Sequence, residues 1–258
     1  MIISSEKIPG YVQTVQRLSR GNPFACRIIS LYRSYSPELA FVDYWITSDA
    51  RGVCTGAIAR NGSAFILYLT SQSDLHEISS FLRLSGARGI LCDGNYKLEL
   101  FGEGSTGTVM RLSRLIPLSE TETEAEIIIK PDLRSAYKLM TLSADKNFTP
   151  PTFDDFYVDV NHKLRHQTAR ICGAADNGQL VAFAMTVAEC DRCAVLGAVV
   201  CHPDYRRKGY GTQAVRSLIK KLISEGKTVY IHRARNTSAS FYVKMGFTDY
   251  GYWKEYRL

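Results

Sequence analysis

The stretch that most restricts the fold runs through residues 194–225. An apolar segment, Ala-Val-Leu-Gly-Ala-Val-Val-Cys at 194–201, leads into His-Pro-Asp-Tyr-Arg-Arg-Lys-Gly-Tyr-Gly-Thr at 202–212. Apolar residues then recur at helical spacing, Val215, Leu218, Ile219, Leu222 and Ile223, as far as Gly226. The pattern predicts a strand, a basic glycine-containing loop and a helix of about 209–225, stopped by its glycine. N–H groups in a first helical turn have no internal partner, and the helix dipole adds partial positive charge there. Gly209 and Gly211 lack Cβ atoms, so an anion can come close to the backbone. Arg206, Arg207 and Lys208 supply full charges for charge-assisted hydrogen bonds. Together these features suit a diphosphate. The loop lacks the Gly-Lys-Ser/Thr ending of a Walker loop and the third glycine of a dinucleotide fingerprint. The plainer alternative is a basic helix entry with ordinary turn glycines.

The surrounding pattern is a mixed α/β one. In 258 residues, 45% of them apolar, two domains have room for their own cores. The clearest shift in composition is the acidic tract Pro-Leu-Ser-Glu-Thr-Glu-Thr-Glu-Ala-Glu at 117–126. It reads as a linker and divides the chain into 1–116 and 127–258. In the first part, two helical patterns flank Pro23, and strands are expected at 41–47, 53–59 and 64–70. Asn61-Gly62 makes the tight turn between the last two strands. A helix capped by Asp74 with Glu77 follows, then a strand at 89–92, a glycine-containing stretch of no clear pattern, and a strand at 109–115. The second part reads β-α-α-β-β-β-α-β-α-β. Its landmarks are Thr152 as a helix cap, Asn177-Gly178 as a hairpin turn, and a short helix opening at Asn236 and closing before Gly246. The first part resembles the second in its element order, which suggests a worn internal repeat.

Seven scattered cysteines, an odd number without framework spacing, suit reduced thiols. Cys190 and Cys193 flank Asp191-Arg192 as a hairpin turn rather than forming half of a metal site, and no metal is expected. No apolar run approaches the roughly eighteen residues that span a bilayer, and the first residues lack a secretory pattern. A cytoplasmic chain with no membrane partner is expected. The net charge of +7 fits either a nucleic-acid binder or an enzyme for a polyanionic cofactor. Its basic residues are dispersed, and no nucleic-acid partner is expected. Oligomeric state leaves no signal.

The segment Val-Val-Cys-His-Pro-Asp-Tyr-Arg-Arg-Lys-Gly-Tyr-Gly at 199–211 resembles motif A of the GNAT superfamily of N-acetyltransferases. Asn236, Ala239, Phe241-Tyr242, Gly246 and Phe247 resemble the family's later helix motif. The resemblance covers about 126–258. It implies an acyl-CoA N-acyltransferase fold, a mixed central sheet flanked by helices. The first half then looks like a degenerate copy, giving a tandem arrangement. The resemblance also implies a set of roles. Val199, Val200 and Cys201 would pair through their backbone with the pantetheine arm of acetyl-CoA. Arg206, Arg207, Lys208, Gly209, Tyr210, Gly211 and Thr212 would hold its pyrophosphate. Tyr242 would protonate the departing thiolate after direct attack by an amine, or else only pack on the core. Asn236 would bond the cofactor arm, or simply cap its helix. No carboxylate stands where some members place a base; Glu189 and His232 are the candidates, each with a structural alternative. The acceptor is expected to be a primary amine on a small molecule or peptide. It would lie near Phe148, Phe153, Asp154, Asp155, Phe156 and Tyr157, whose two carboxylates also suit a first helical turn. A non-catalytic acyl-CoA sensor is the alternative to an enzyme.

Overall fold

The structure is a computed structural model that describes residues 1–100, 102–117, 125–144, 148–234 and 239–258. Most of the expected linker at 117–126, and Asn236, lie outside the described residues. The chain forms two compact units. One comprises Met1–Met110, His232–Thr237 and Asp249–Leu258; the other comprises Arg111–Ile231 and Ser238–Thr248.

The elements of the first half are β1 (Ile2–Ser4), α1 (Tyr11–Ser19), α2 (Pro23–Ser34), β2 (Val42–Ser48), β3 (Cys54–Asn61), β4 (Ala64–Leu69), α3 (Leu75–Leu84), β5 (Gly89–Asp93) and β6 (Glu103–Leu112). The second half contributes β7 (Glu126–Ile129), α4 (Leu133–Leu142), α5 (Phe153–Arg165), β8 (Ile171–Asp176), β9 (Gln179–Glu189) and β10 (Cys193–Cys201). It continues with α6 (Tyr210–Ser224), β11 (Thr228–Ala234), α7 (Ala239–Val243) and β12 (Phe247–Arg257). The β-α-α-β-β-β-α-β-α-β order read from the sequence is the order observed, and the first half opens with the same β-α-α-β-β-β-α-β series.

In the first unit the strands lie in the order β1-β2-β3-β4-β5-β12-β6. β4 and β5 are parallel, while β12 runs antiparallel to β5 with Tyr256 opposite Ile90. Local chemistry sets the helix ends. Pro23 sits at the first position of α2, and the Asn22 side chain accepts from Phe24 N–H at 2.8 Å. The core gathers Ile58, Phe65, Leu67, Ile78, Leu82, Ile90 and Tyr256.

In the second unit the order is β11-β10-β9-β8-β7, parallel between β10 and β11 and antiparallel elsewhere. Leu139, Met140, Phe156, Val160, Ile171, Phe183 and Val200 form one core cluster. α6 buries Val215, Leu218, Ile219 and Leu222, each contributing roughly 1.5–3 kcal/mol through removal from water. Charges tie the start of β8, the end of β9, and the α6–β11 connection. Glu189 is buried and accepts from Arg170 Nε at 2.8 Å, Arg170 Nη2 at 2.6 Å, Lys227 Nζ at 2.7 Å and Thr186 Oγ1 at 2.8 Å. Arg170 also holds Glu225, at 2.9 and 2.8 Å.

Candidate functional site

The site is built where two parallel strands part. β10 pairs with β11 from Cys193 opposite Thr228 to Leu196 opposite Ile231. β10 continues five residues further, to Cys201. Over that stretch it keeps its other neighbour, with Val199, Val200 and Cys201 opposite Ala184, Phe183 and Ala182 of β9. The register against β9 shifts between Leu196 and Val199, a bulge that bends the strand just where its pairing with β11 ends. The β11-side backbone edge of Val199, Val200 and Cys201 therefore has no strand beside it among the described residues. Val200 is buried, which satisfies its core role as well.

The chain then makes a single 3-10 turn, Pro203–Tyr205, capped by the His202 ring, and enters the basic loop. Arg206, Arg207 and Lys208 are all exposed. Arg207 has φ of +67°, a left-handed backbone that costs a non-glycine residue about 1–2 kcal/mol. Arg206 Nε donates to the Cys201 carbonyl at 3.4 Å, and the Lys208 ammonium lies 5.1 Å from the centre of the Tyr205 ring. Gly209 stands at the cap position of α6 with φ of +93° and offers no side chain to the first turn. The first bond of the helical ladder runs from Gln213 N–H to the Gly209 carbonyl at 3.0 Å. The N–H groups of Tyr210, Gly211 and Thr212 precede it. That of Gly211 bonds the Cys201 thiol, and this bond together with Arg206 opposes the upward push of burial on the thiol's pKa. Tyr210 donates its hydroxyl to Asp176 at the end of β8, at 2.8 Å, and that hydrogen bond is the first cause of the phenol's raised pKa.

The equivalent junction in the first half is chemically opposite. Residues 70–74, between β4 and α3, are Thr-Ser-Gln-Ser-Asp, with no basic residue. The Asp74 carboxylate caps α3 by accepting from Glu77 N–H at 2.9 Å. An anion would meet a fixed negative charge there, whereas at Gly209 it would meet a helix start with no side-chain cap.

Tyr242 lies on α7 in the same unit as the loop and is 9% exposed. Its ring meets Phe241 and Phe247 edge-on, with centroids 5.0 and 5.8 Å apart. Asn236 lies outside the described residues. Glu189 is committed to Arg170, Lys227 and Thr186, so its structural alternative is the one realised. His232 groups with the first unit. Its ring stacks obliquely against Phe24 at 5.0 Å, and both ring nitrogens are buried without a hydrogen-bond partner among the described residues. Burial, reinforced by the nearby Arg27 charge, keeps its pKa well below that of a free imidazole.

Of the aromatic group expected near the acceptor, Phe153, Phe156 and Tyr157 lie on α5, where Tyr137 of α4, which the sequence did not single out, joins them. Tyr137, Phe153, Phe156 and Tyr157 contact one another at centroid distances of 5.2–5.6 Å. The guanidinium of Arg134 lies over Phe153 at 5.6 Å, so the chain's own cation already uses one aromatic face. Asp155 serves the α5 cap by accepting from Thr152 Oγ1 at 2.6 Å. Phe148 remains partly exposed.

The model of the Acetyltransferase (GNAT) family matches residues 133–247, a little under half of the chain. No curated protein matches the sequence. Among solved structures, the chain is similar to a tandem GNAT protein from the clavulanic acid biosynthesis pathway, determined without AcCoA. The identity is 12%, 98% of this chain and 97% of that chain are covered, and the TM-score is 0.59. It is also similar to a GCN5-related N-acetyltransferase from Sphaerobacter thermophilus (12% identity, 100% and 95% covered, TM-score 0.63). An acetyltransferase of the GNAT family from Colwellia psychrerythraea aligns at 14% identity, with 100% and 99% covered and a TM-score of 0.56. At these identities the likeness concerns the fold, and it extends over both halves of the chain.

Proposed function

We propose, from the premise that residues 133–247 are a GNAT-family domain, that this protein moves an acetyl group from acetyl-CoA to a primary amine of a small molecule or peptide. The observation that carries the reading is the parting of β10 from β11 beyond Leu196 and Ile231, followed at once by the uncapped start of α6. The open edge at Val199, Val200 and Cys201 suits the amide-bearing pantetheine arm. The amides from Arg207 to Thr212, with the charges of Arg206, Arg207 and Lys208, suit the pyrophosphate. Acetyl-CoA supplies the activated thioester. Tyr242 is assigned the proton delivered to sulfur as the amine attacks the carbonyl carbon directly. With Glu189 locked in ion pairs and both His232 ring nitrogens buried near the Arg27 charge, the amine gives up its proton to water.

The same two residues support a second reading, a module that binds acyl-CoA without turnover. Release of free thiol from acetyl-CoA over a panel of primary amines separates the two. The enzyme reading expects amine-dependent release that falls by about 100-fold or more in Tyr242→Phe, while calorimetry shows CoA affinity unchanged. Binding with no release for any amine leaves the sensor. Absence of CoA uptake by the wild type removes both.

A further inference from the structure

The second unit's sheet ends on β7, which pairs with β8 alone among the described residues. An unpaired outer edge exposes backbone donors and acceptors to any passing strand, and proteins commonly guard such an edge with charge, proline or a bulge. β7 has neither proline nor bulge within its span, and its one charge, Glu126, stands at its start. It reads Glu-Ile-Ile-Ile, with Ile127 37% and Ile129 78% exposed. Ile127 and Ile129 stand opposite Ala174 and Cys172. Ile129 and Cys172 line one groove with Ser217 and Leu218 of α6, so both isoleucines lie on the α6 side of the sheet. Beside Ile129 the surface sinks into a groove of about 610 Å³ between α6 and the start of β8, whose walls include Leu164, Cys172 and Leu218.

The sequence of the edge is self-complementary. An antiparallel partner centred on Ile128 would place Glu126 opposite Lys130 at both ends and Ile127 opposite Ile129 between them. Opposite charges face each other twice, and apolar side chains meet apolar side chains. Lys130 has a left-handed backbone, φ +59°, yet its N–H still bonds the Ile171 carbonyl at 3.3 Å, so it stays in line with the ladder. A parallel partner in register would set Glu126 beside Glu126. We propose that β7 is the surface through which two copies of this chain associate, antiparallel about Ile128, with the partner's isoleucines covering the mouth of the groove. Such a contact is isologous and closes as a two-fold dimer. A four-residue ladder is marginal by itself, and the groove supplies the additional apolar contact.

Sedimentation or light scattering of the full chain across a concentration series tests this. The wild type is expected to be dimeric. Ile129→Glu replaces an exposed side chain, so its melting temperature should hold, while its dimer dissociates at least about tenfold more readily. Glu126→Lys and Lys130→Glu should each weaken the dimer by placing like charges opposite one another. An equimolar mixture of these two single variants should restore it, because each strand then faces its complement. A wild type that stays monomeric at concentrations on the order of 100 μM, a dimer indifferent to Ile129→Glu, or a mixture that fails to re-associate would each overturn the proposal.

Discussion

Glu225 keeps its negative charge in more acidic solution than a carboxylate surrounded by water does. Its pKa is lowered to about 2, first by the hydrogen bonds from Arg170 and then by the charges of Arg170 and Lys227, against an opposing push from burial. A carboxylate whose folded pKa lies below its unfolded value contributes stability that is complete above the unfolded value, near 4.5, and disappears as pH falls toward the folded one. Melting temperature should therefore drop between about pH 4.5 and pH 2 more steeply in the wild type than in Glu225→Gln. Equal slopes in the two proteins would show that the ion pair does not couple to folding. Arg170's own pKa is raised, first by the bond to Glu225, so it stays charged throughout this acid range and its side of the ion pair would be lost only at strongly alkaline pH. None of this was legible in the sequence. Glu189 could be seen at a strand end, but Arg170 lies 19 residues before it and Lys227 lies 38 after, and only the tertiary fold brings them together.

At the scale of elements, the cap position of α6 holds a glycine where that of α3 holds an aspartate. Gly209→Asp would give α6 the negative cap that α3 has. Calorimetry should then show CoA binding weakened by at least about tenfold through repulsion of the pyrophosphate. Thermal melts should register a loss of about 1–2 kcal/mol because φ at this position is left-handed. Undiminished affinity would place the pyrophosphate elsewhere. The helix itself was readable: the sequence predicts 209–225 and the structure gives Tyr210–Ser224, because period, charge and glycine all agree there. β6 was harder. The sequence places a strand at 109–115, whereas the strand runs Glu103–Leu112. Gly104 and Gly107 suggest a loop when only neighbours in sequence are considered. In the fold they let the strand approach other backbone closely, since a Cβ at Gly104 would strike the Glu255 carbonyl and one at Gly107 the indole of Trp253. The parting of β10 from β11 leaves no mark in the residues themselves, since the apolar run of 194–201 continues straight past the last paired residue; the resemblance alone implied it, through the free backbone it requires at Val199, Val200 and Cys201.

For the molecule as a whole, the unit that begins at Met1 is completed by the other end of the chain. β12 supplies Trp253–Arg257 to β5. Tyr256 joins the core, where its hydroxyl accepts from Leu98 N–H at 3.2 Å. Trp253 Nε1 donates to the Arg233 carbonyl at 3.1 Å. A fragment of residues 1–116 would lack all of these groups. It should show no cooperative melting transition by circular dichroism, and adding a fragment of 117–258 should bring one back. A sharp transition in the short fragment alone would mean that the last strand is dispensable. The same arrangement bears on how the protein is made. Residues 249–258 leave the ribosome about 140 residues after Met110. At roughly 5–20 residues per second, the nascent N-terminal half waits on the order of ten seconds or more with an open seam beside β5. Chaperone capture, or mispairing with a neighbouring nascent chain, should therefore concentrate in that interval and fade once residues 249–258 have emerged.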